Sequence, residues 1–148
     1  MPYRFTSSLP YLLNRVGVRM GELFSRRLAE SGLTLPMYRV MAALRQEGPQ
    51  RLSDLGAMVS VEISTLSRLV SAMKRRNLLS RVRLEDNART VRIDLTKAGE
   101  KLVDRLMPIA AQFEQVGTRT FSDKDIAWLK KALKQIHANL QELDAPKA

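Results

Sequence analysis

A mainly α fold with one small β hairpin is predicted by three observations. Apolar residues recur at helical spacing in six stretches, and the period changes to two between Arg81 and Leu95. The third is Ile63–Leu84, a run of 22 residues without Asp or Glu that lies between a short helical pattern and the hairpin pattern. The first two set the architecture, and the third points to the chemistry.

Leu9, Leu12, Val16, Met20, Leu23 and Phe24 repeat at helical spacing, so residues 8–30 read as a long amphipathic helix that stops near Ser31 and Gly32. Thr34 is placed to cap a second helix over 35–47, with Pro36 in its first turn and Gly48-Pro49 at its end. Leu52, Leu55 and Met58 support a short helix over 53–59. In a fourth helix, over 63–76, Leu66, Leu69, Val70 and Met73 line one face. Ser64, Arg68, Ser71 and Arg75 line the opposite face, flanked by Thr65 and Ser67. Small hydroxyls let a helix backbone come close to a duplex, and arginines reach guanine edges or phosphates, so this face suits the major groove. An ordinary solvated face would interleave Glu or Asp, and a basic helix without a partner is the plainer reading.

Arg81 to Leu84 then alternates polar and apolar, and Thr90 to Leu95 repeats the alternation with Val91, Ile93 and Leu95 on one face, giving two half-buried strands. Between them Asp86 and Asn87 suit a turn, with Arg89 near its tip. Thr96 caps a helix over 97–116 that Pro108 interrupts or kinks. Ser122 and Asp125 open the last helix as a capping box with Asp in place of Glu or Gln. Along it Ile126, Leu129, Leu133, Ile136, Leu140 and Leu143 follow coiled-coil spacing, a seam that one helix cannot bury alone. The chain's own first or fifth helix would cover it, and so would a second copy, which would also match the two-fold related half-sites of a duplex.

The 148 residues suit one domain, or a compact core with helical extensions, and 45% hydrophobic residues argue against disorder. The net charge of +10 calls for an acidic partner, nucleic acid or an anionic membrane surface. Eight basic and two acidic residues fall between Arg68 and Arg92, so most of the excess charge occupies about a sixth of the chain and marks a site. The absence of cysteine excludes disulfides, cysteine metal sites and thiol redox sensing, and fits a reducing cytosol. With no apolar run long enough for a signal peptide or a membrane span, a soluble cytoplasmic protein is expected, and no membrane partner. His137 has no clustered second ligand, and no phosphate loop, nucleophile elbow or carboxylate pair can be defended. Neither an enzyme nor a cofactor or metal is expected.

The segments LSDLGAMVSVEISTLSRLVSAMKRRNLLSR at 52–81 and DNARTVRIDLTKAG at 86–99 resemble the MarR family of bacterial regulators, and the helices at 8–47 and 97–143 match its order. The resemblance implies a mainly α protein with a small β wing: a winged helix-turn-helix over 34–96, and helical dimerisation regions over 1–33 and 97–148. It implies a cytosolic homodimer in which the first, fifth and sixth helices of two subunits interlock. By the same analogy Ser64, Thr65, Ser67 and Arg68 meet bases or nearby phosphates of double-stranded DNA, and Arg89 enters the minor groove. Lys74, Arg75, Arg76, Arg81 and Arg83 are expected as phosphate contacts or solvated charges.

Two positions depart from the family pattern. Ser60 stands where the turn often has Gly, so the turn is costlier or Ser60 caps the fourth helix. Asn87 stands where an Asp commonly steadies the wing arginine, a role left to Asp86 or Glu85. The resemblance also places an effector pocket between the dimer-forming helices and the DNA-binding lobe. For a small anionic aromatic effector, this sequence offers Tyr11, Arg15, Arg19, Met37, Tyr38 and Met41 as linings. The functional expectation is a dimeric repressor released from a palindromic operator by that effector. The rival is a constitutive architectural DNA-binding protein that responds to no ligand.

Overall fold

The computed structural model describes residues 2–83, 90–144 and 146. Its elements are α1 (Leu9–Ala29), α2 (Leu35–Glu47), α3 (Leu52–Val59), α4 (Ile63–Arg75), β1 (Leu79–Arg83), β2 (Val91–Leu95), α5 (Lys97–Thr118) and α6 (Asp123–Gln141). The fold is mostly helical with one two-stranded antiparallel sheet, as the periodicity predicts. The expectations for Leu84, Glu85, Asp86, Asn87 and Arg89 lie outside the described residues.

Local chemistry sets the helix starts. Thr34 Oγ1 accepts from the Met37 N–H at 3.4 Å, and Thr96 Oγ1 accepts from Gly99 N–H at 3.0 Å. At α6 the capping box closes with Asp: Asp125 N–H donates to Ser122 Oγ at 3.1 Å, and Ser122 N–H donates to Asp125 Oδ2 at 3.2 Å.

The ends of α1, α3 and α4 share one device. Gly32, Ser60 and Asn77 are left-handed, at φ 67°, 55° and 57°. The amides that follow return to the helix, Leu33 to the Leu28 carbonyl, Val61 to Gly56 and Leu78 to Met73, at 3.0–3.1 Å. Ser60 therefore ends α3 and does not cap α4. Glu62 occupies that cap position, without a side-chain cap bond.

Two other boundaries differ from expectation. Helix α5 is not interrupted at Pro108, because loss of one N–H costs a single bond to the carbonyl four residues back, and the surrounding turns hold. Strand β1 begins at Leu79, two residues ahead of the alternation. The register pairs Leu79 with Leu95 and Arg81 with Ile93, which sets Val82 on the other face beside Arg92. Burial decides this phase: Leu79, Ile93 and Leu95 enter the core together.

The chain divides into two compact units, Met1–Ala111 and Gln112–Ala148. In the first, Leu28, Val40, Met41, Leu44, Leu55, Leu66, Val70, Met73, Leu79 and Val103 are fully buried. The amphipathic faces of α2, α3, α4 and the start of α5 thus close on one core. At α5 the approach is so tight that a Cβ on Gly99 would lie 2.3 Å from the Leu78 carbonyl oxygen. The second unit has no buried side chain in α6, where Ile126, Leu133 and Ile136 are half-buried and Leu129 and Leu140 exposed. Lys130 and Glu114 form an ion pair within it.

Candidate nucleic-acid interface

Helices α3 and α4 meet at 104°, within the range of a helix-turn-helix. Gly56 makes room for the turn, since a Cβ there would stand 3.1 Å from the Val61 carbonyl oxygen. Leu66, Val70 and Met73 fix the rotation of α4 by entering the core, so its opposite face points outward. On that face Ser64, Thr65, Arg68 and Arg75 are exposed, and Ser67 and Ser71 half-buried. The six α4 side chains proposed from sequence thus share one surface of the helix.

The hairpin is tied to the helix-turn-helix through Gln50, two residues before α3. Its N–H donates to the Ile93 carbonyl at 3.0 Å, and Ile93 N–H donates back to the Gln50 carbonyl at 2.7 Å. Arg81 and Arg83 are exposed on β1. Among the described residues the ion pairs are Arg19–Glu22, Arg27–Glu30, Arg45–Asp104 and Lys130–Glu114, so Arg68, Lys74, Arg75 and Arg81 carry positive charge that no carboxylate there neutralises. Unneutralised guanidinium and ammonium groups around a hydroxyl-lined helix form a surface for a polyanion.

Arg76 differs from its neighbours. Its Nη1 donates to the Gly32 carbonyl at 2.7 Å and its Nη2 to the Ser31 carbonyl at 3.3 Å, so the group is used within the fold. Glu62 lies one position outside the acid-free run and beside the outward face of α4. Its Oε1 accepts from the Ser64 hydroxyl at 2.8 Å, placing a carboxylate at the start of that face.

Helix α2 is joined to α5 by a two-pronged ion pair, Arg45 Nε to Asp104 Oδ1 at 2.8 Å and Nη2 to Oδ2 at 3.2 Å. The hydrogen bond from Arg45 holds the Asp104 carboxyl below its ordinary value and raises Arg45 above its own.

The six residues expected around an effector fall into separate places. Tyr11 and Arg15 meet on α1, with Arg15 Nη1 donating to the Tyr11 hydroxyl at 3.4 Å and its guanidinium 5.7 Å from the ring centre. Arg19 faces Glu22 at 3.8 Å. Tyr38 packs edge-on against Phe24 at 4.7 Å, and burial pushes its hydroxyl pKa up. Met37 lies beside Arg76, and Met41 is fully buried in the core. A groove of about 840 Å³ in the first unit is lined by Gly17, Gly21, Glu22 and Arg26 of α1 with Leu35 and Arg39 of α2, while Arg15 and Arg19 together line a smaller one along α1. Gly17 and Gly21 give that stretch of α1 a low profile, a cue the sequence carries.

The MarR family model matches residues 33–91, from α2 through β1 to the first residue of β2. The transcriptional repressor NicR of Pseudomonas putida is 27% identical over 115 residues, 78% of this chain and 73% of its own. The repressor IacR, also of Pseudomonas putida, is 23% identical over 90% of this chain and 80% of its own. Among solved structures, Bordetella bronchiseptica BpsR, whose DNA binding is regulated by 6-hydroxynicotinic acid, aligns with TM-score 0.79 at 26% identity over 93% of this chain and 98% of its own. A MarR-family regulator from Silicibacter pomeroyi aligns with TM-score 0.82 at 26% identity over 92% of both chains. The similar proteins are transcriptional regulators, not enzymes.

Proposed function

The chain belongs to the MarR family of transcriptional regulators, and from that premise we propose that it is a dimeric repressor that reads a palindromic operator with α4 and is released by a small aromatic acid. One observation carries the reading: α4 presents hydroxyls and unpaired arginines on its outward face while its apolar face is locked in the core. Such a helix fits the major groove, where Arg68 and the hydroxyls of Ser64, Thr65 and Ser67 reach base edges while Ser71 and Arg75 lie toward phosphate. Arg89 is proposed to enter the adjacent minor groove from the wing.

In this reading residues 34–96 bind DNA, and residues 1–33 with 97–148 bring two copies together. Support comes from apolar side chains facing water on α1 and α6, among them Val16 at 58% exposure and Leu140 at 57%. The effector part is supported by BpsR, regulated by a hydroxylated aromatic acid, and by the groove along α1, whose volume suits a small ligand. Arg15 and Arg19, or Arg26 and Arg39 at the groove, are the cations available to a carboxylate.

The test is binding to a duplex enriched by the protein from a random library, against a scrambled duplex, with and without aromatic carboxylic acids. A preference for the enriched duplex that an acid weakens by roughly 5- to 150-fold is the expected result. Equal binding to both duplexes would instead favour an architectural protein. Preference without any response to acids would remove the effector.

A further inference from the structure

We infer that Arg76 is a positioning residue for the reading helix, a clamp between the C-terminal end of α4 and the turn joining α1 to α2, and not one of the phosphate-binding cations beside it. The inference rests on the reading of α4 as the DNA-reading helix. Arg76 follows Lys74 and Arg75 directly, yet its guanidinium engages Gly32 and Ser31 carbonyls, with Met37 Sδ 3.8 Å from Nη1. Those carbonyls lie just past the end of α1, where a helix exposes its unpaired acceptors and the negative end of its dipole. A planar guanidinium can serve two acceptors at once, which an ammonium on a flexible stem does less well. Gly32 leaves the space: a Cβ there would stand 3.2 Å from Arg76 Nη2.

The same end of α4 is held from its other side. Thr96, the cap of α5, donates its hydroxyl to the Asn77 carbonyl at 2.7 Å and its N–H to the Leu78 carbonyl at 3.1 Å. The residues that leave α4, Arg76 to Leu78, are therefore fixed to the turn after α1 by Arg76 and to the start of α5 by Thr96. Any shift of α1 relative to α5 reaches the reading helix through this junction, and Arg76 is the charged half of it.

Binding of the wild type, Arg76→Ala, Arg76→Lys and Arg75→Ala to the enriched duplex and to the scrambled duplex, over a range of salt, separates the roles. A positioning residue predicts that Arg76→Ala loses on the order of tenfold in preference for the enriched duplex, leaving scrambled-duplex affinity and the salt slope unchanged. Arg76→Lys should fail in the same way. A phosphate contact predicts that both affinities fall together, that the slope drops by about 0.9, and that lysine restores binding; that pattern is expected of Arg75→Ala and would overturn the inference for Arg76. Amide hydrogen exchange of the free protein tests the clamp without DNA. Faster exchange at Gly32 and Leu33 in Arg76→Ala is expected, and unchanged exchange there overturns the clamp. A wild type with no duplex preference would overturn the reading of function and the positioning role with it, while the exchange result would still report whether the clamp exists.

Discussion

Ser60 holds a left-handed backbone at φ 55° in an exposed position, a conformation that costs a residue with a Cβ about 1–2 kcal/mol. Replacing it with glycine should stabilise the protein by about 1 kcal/mol, read as a higher urea midpoint at constant slope. Gly99 presents the opposite case. A Cβ there would collide with the Leu78 carbonyl oxygen, which the cap of α5 holds in place. Gly99→Ala should therefore destabilise by about 1–3 kcal/mol in the same titration, and a neutral result would mean that α5 can back away from Leu78. The sequence shows Ser60 as a departure from glycine, but it does not say whether the residue turns the chain or caps the next helix. That answer came from the path of the Val61 amide, which no residue pattern encodes. The bonds of Arg76 were hidden for a similar reason: a run of three cations looks uniform until the fold supplies carbonyls to one of them.

At the scale of elements, the ion pair between α2 and α5 makes a pH-dependent contribution. The Asp104 carboxyl titrates below its ordinary value of 3.8, so the pair's stabilisation is present above that value and is lost as pH falls through the folded one. Asp104→Asn should lower the thermal midpoint near neutrality, and the difference from wild type should vanish in strong acid; a difference independent of pH would assign the loss to packing. Helix types and caps were legible because period and cap chemistry are local: Thr34, Thr96 and the Ser122–Asp125 box act where the sequence puts them. The phase of β1 was not local. It depends on which residues the core accepts, and Leu79 lies opposite Leu95 across a register that intrastrand alternation does not specify. The outward face of α4 was legible because its two faces differ so sharply in composition, whereas the sequence does not say how α1 and α2 pack, which sets Met41 in the core and leaves Tyr11 and Arg15 together on α1.

At the scale of the whole molecule, the apolar residues of α1 and α6 are the reason to expect two copies. A double charge substitution at Leu133 and Leu140 should disrupt assembly, because burying each leucine stabilises by roughly 1.5–3 kcal/mol; sedimentation would show a wild-type dimer and a variant that is monomeric or unfolded. A wild type that sediments as a monomer at micromolar concentration would remove the dimer. The central claim, sequence reading by α4 in a two-fold arrangement, is tested most directly by sequencing the duplexes that wild type and Arg68→Ala each enrich from a random library. The account predicts an imperfect palindrome for the wild type with half-site centres about one helical turn apart, and relaxed preference at symmetric positions for Arg68→Ala, whose affinity should fall by about 1–3 kcal/mol. Enrichment of no common sequence by the wild type, or an identical palindrome from both proteins, would contradict it.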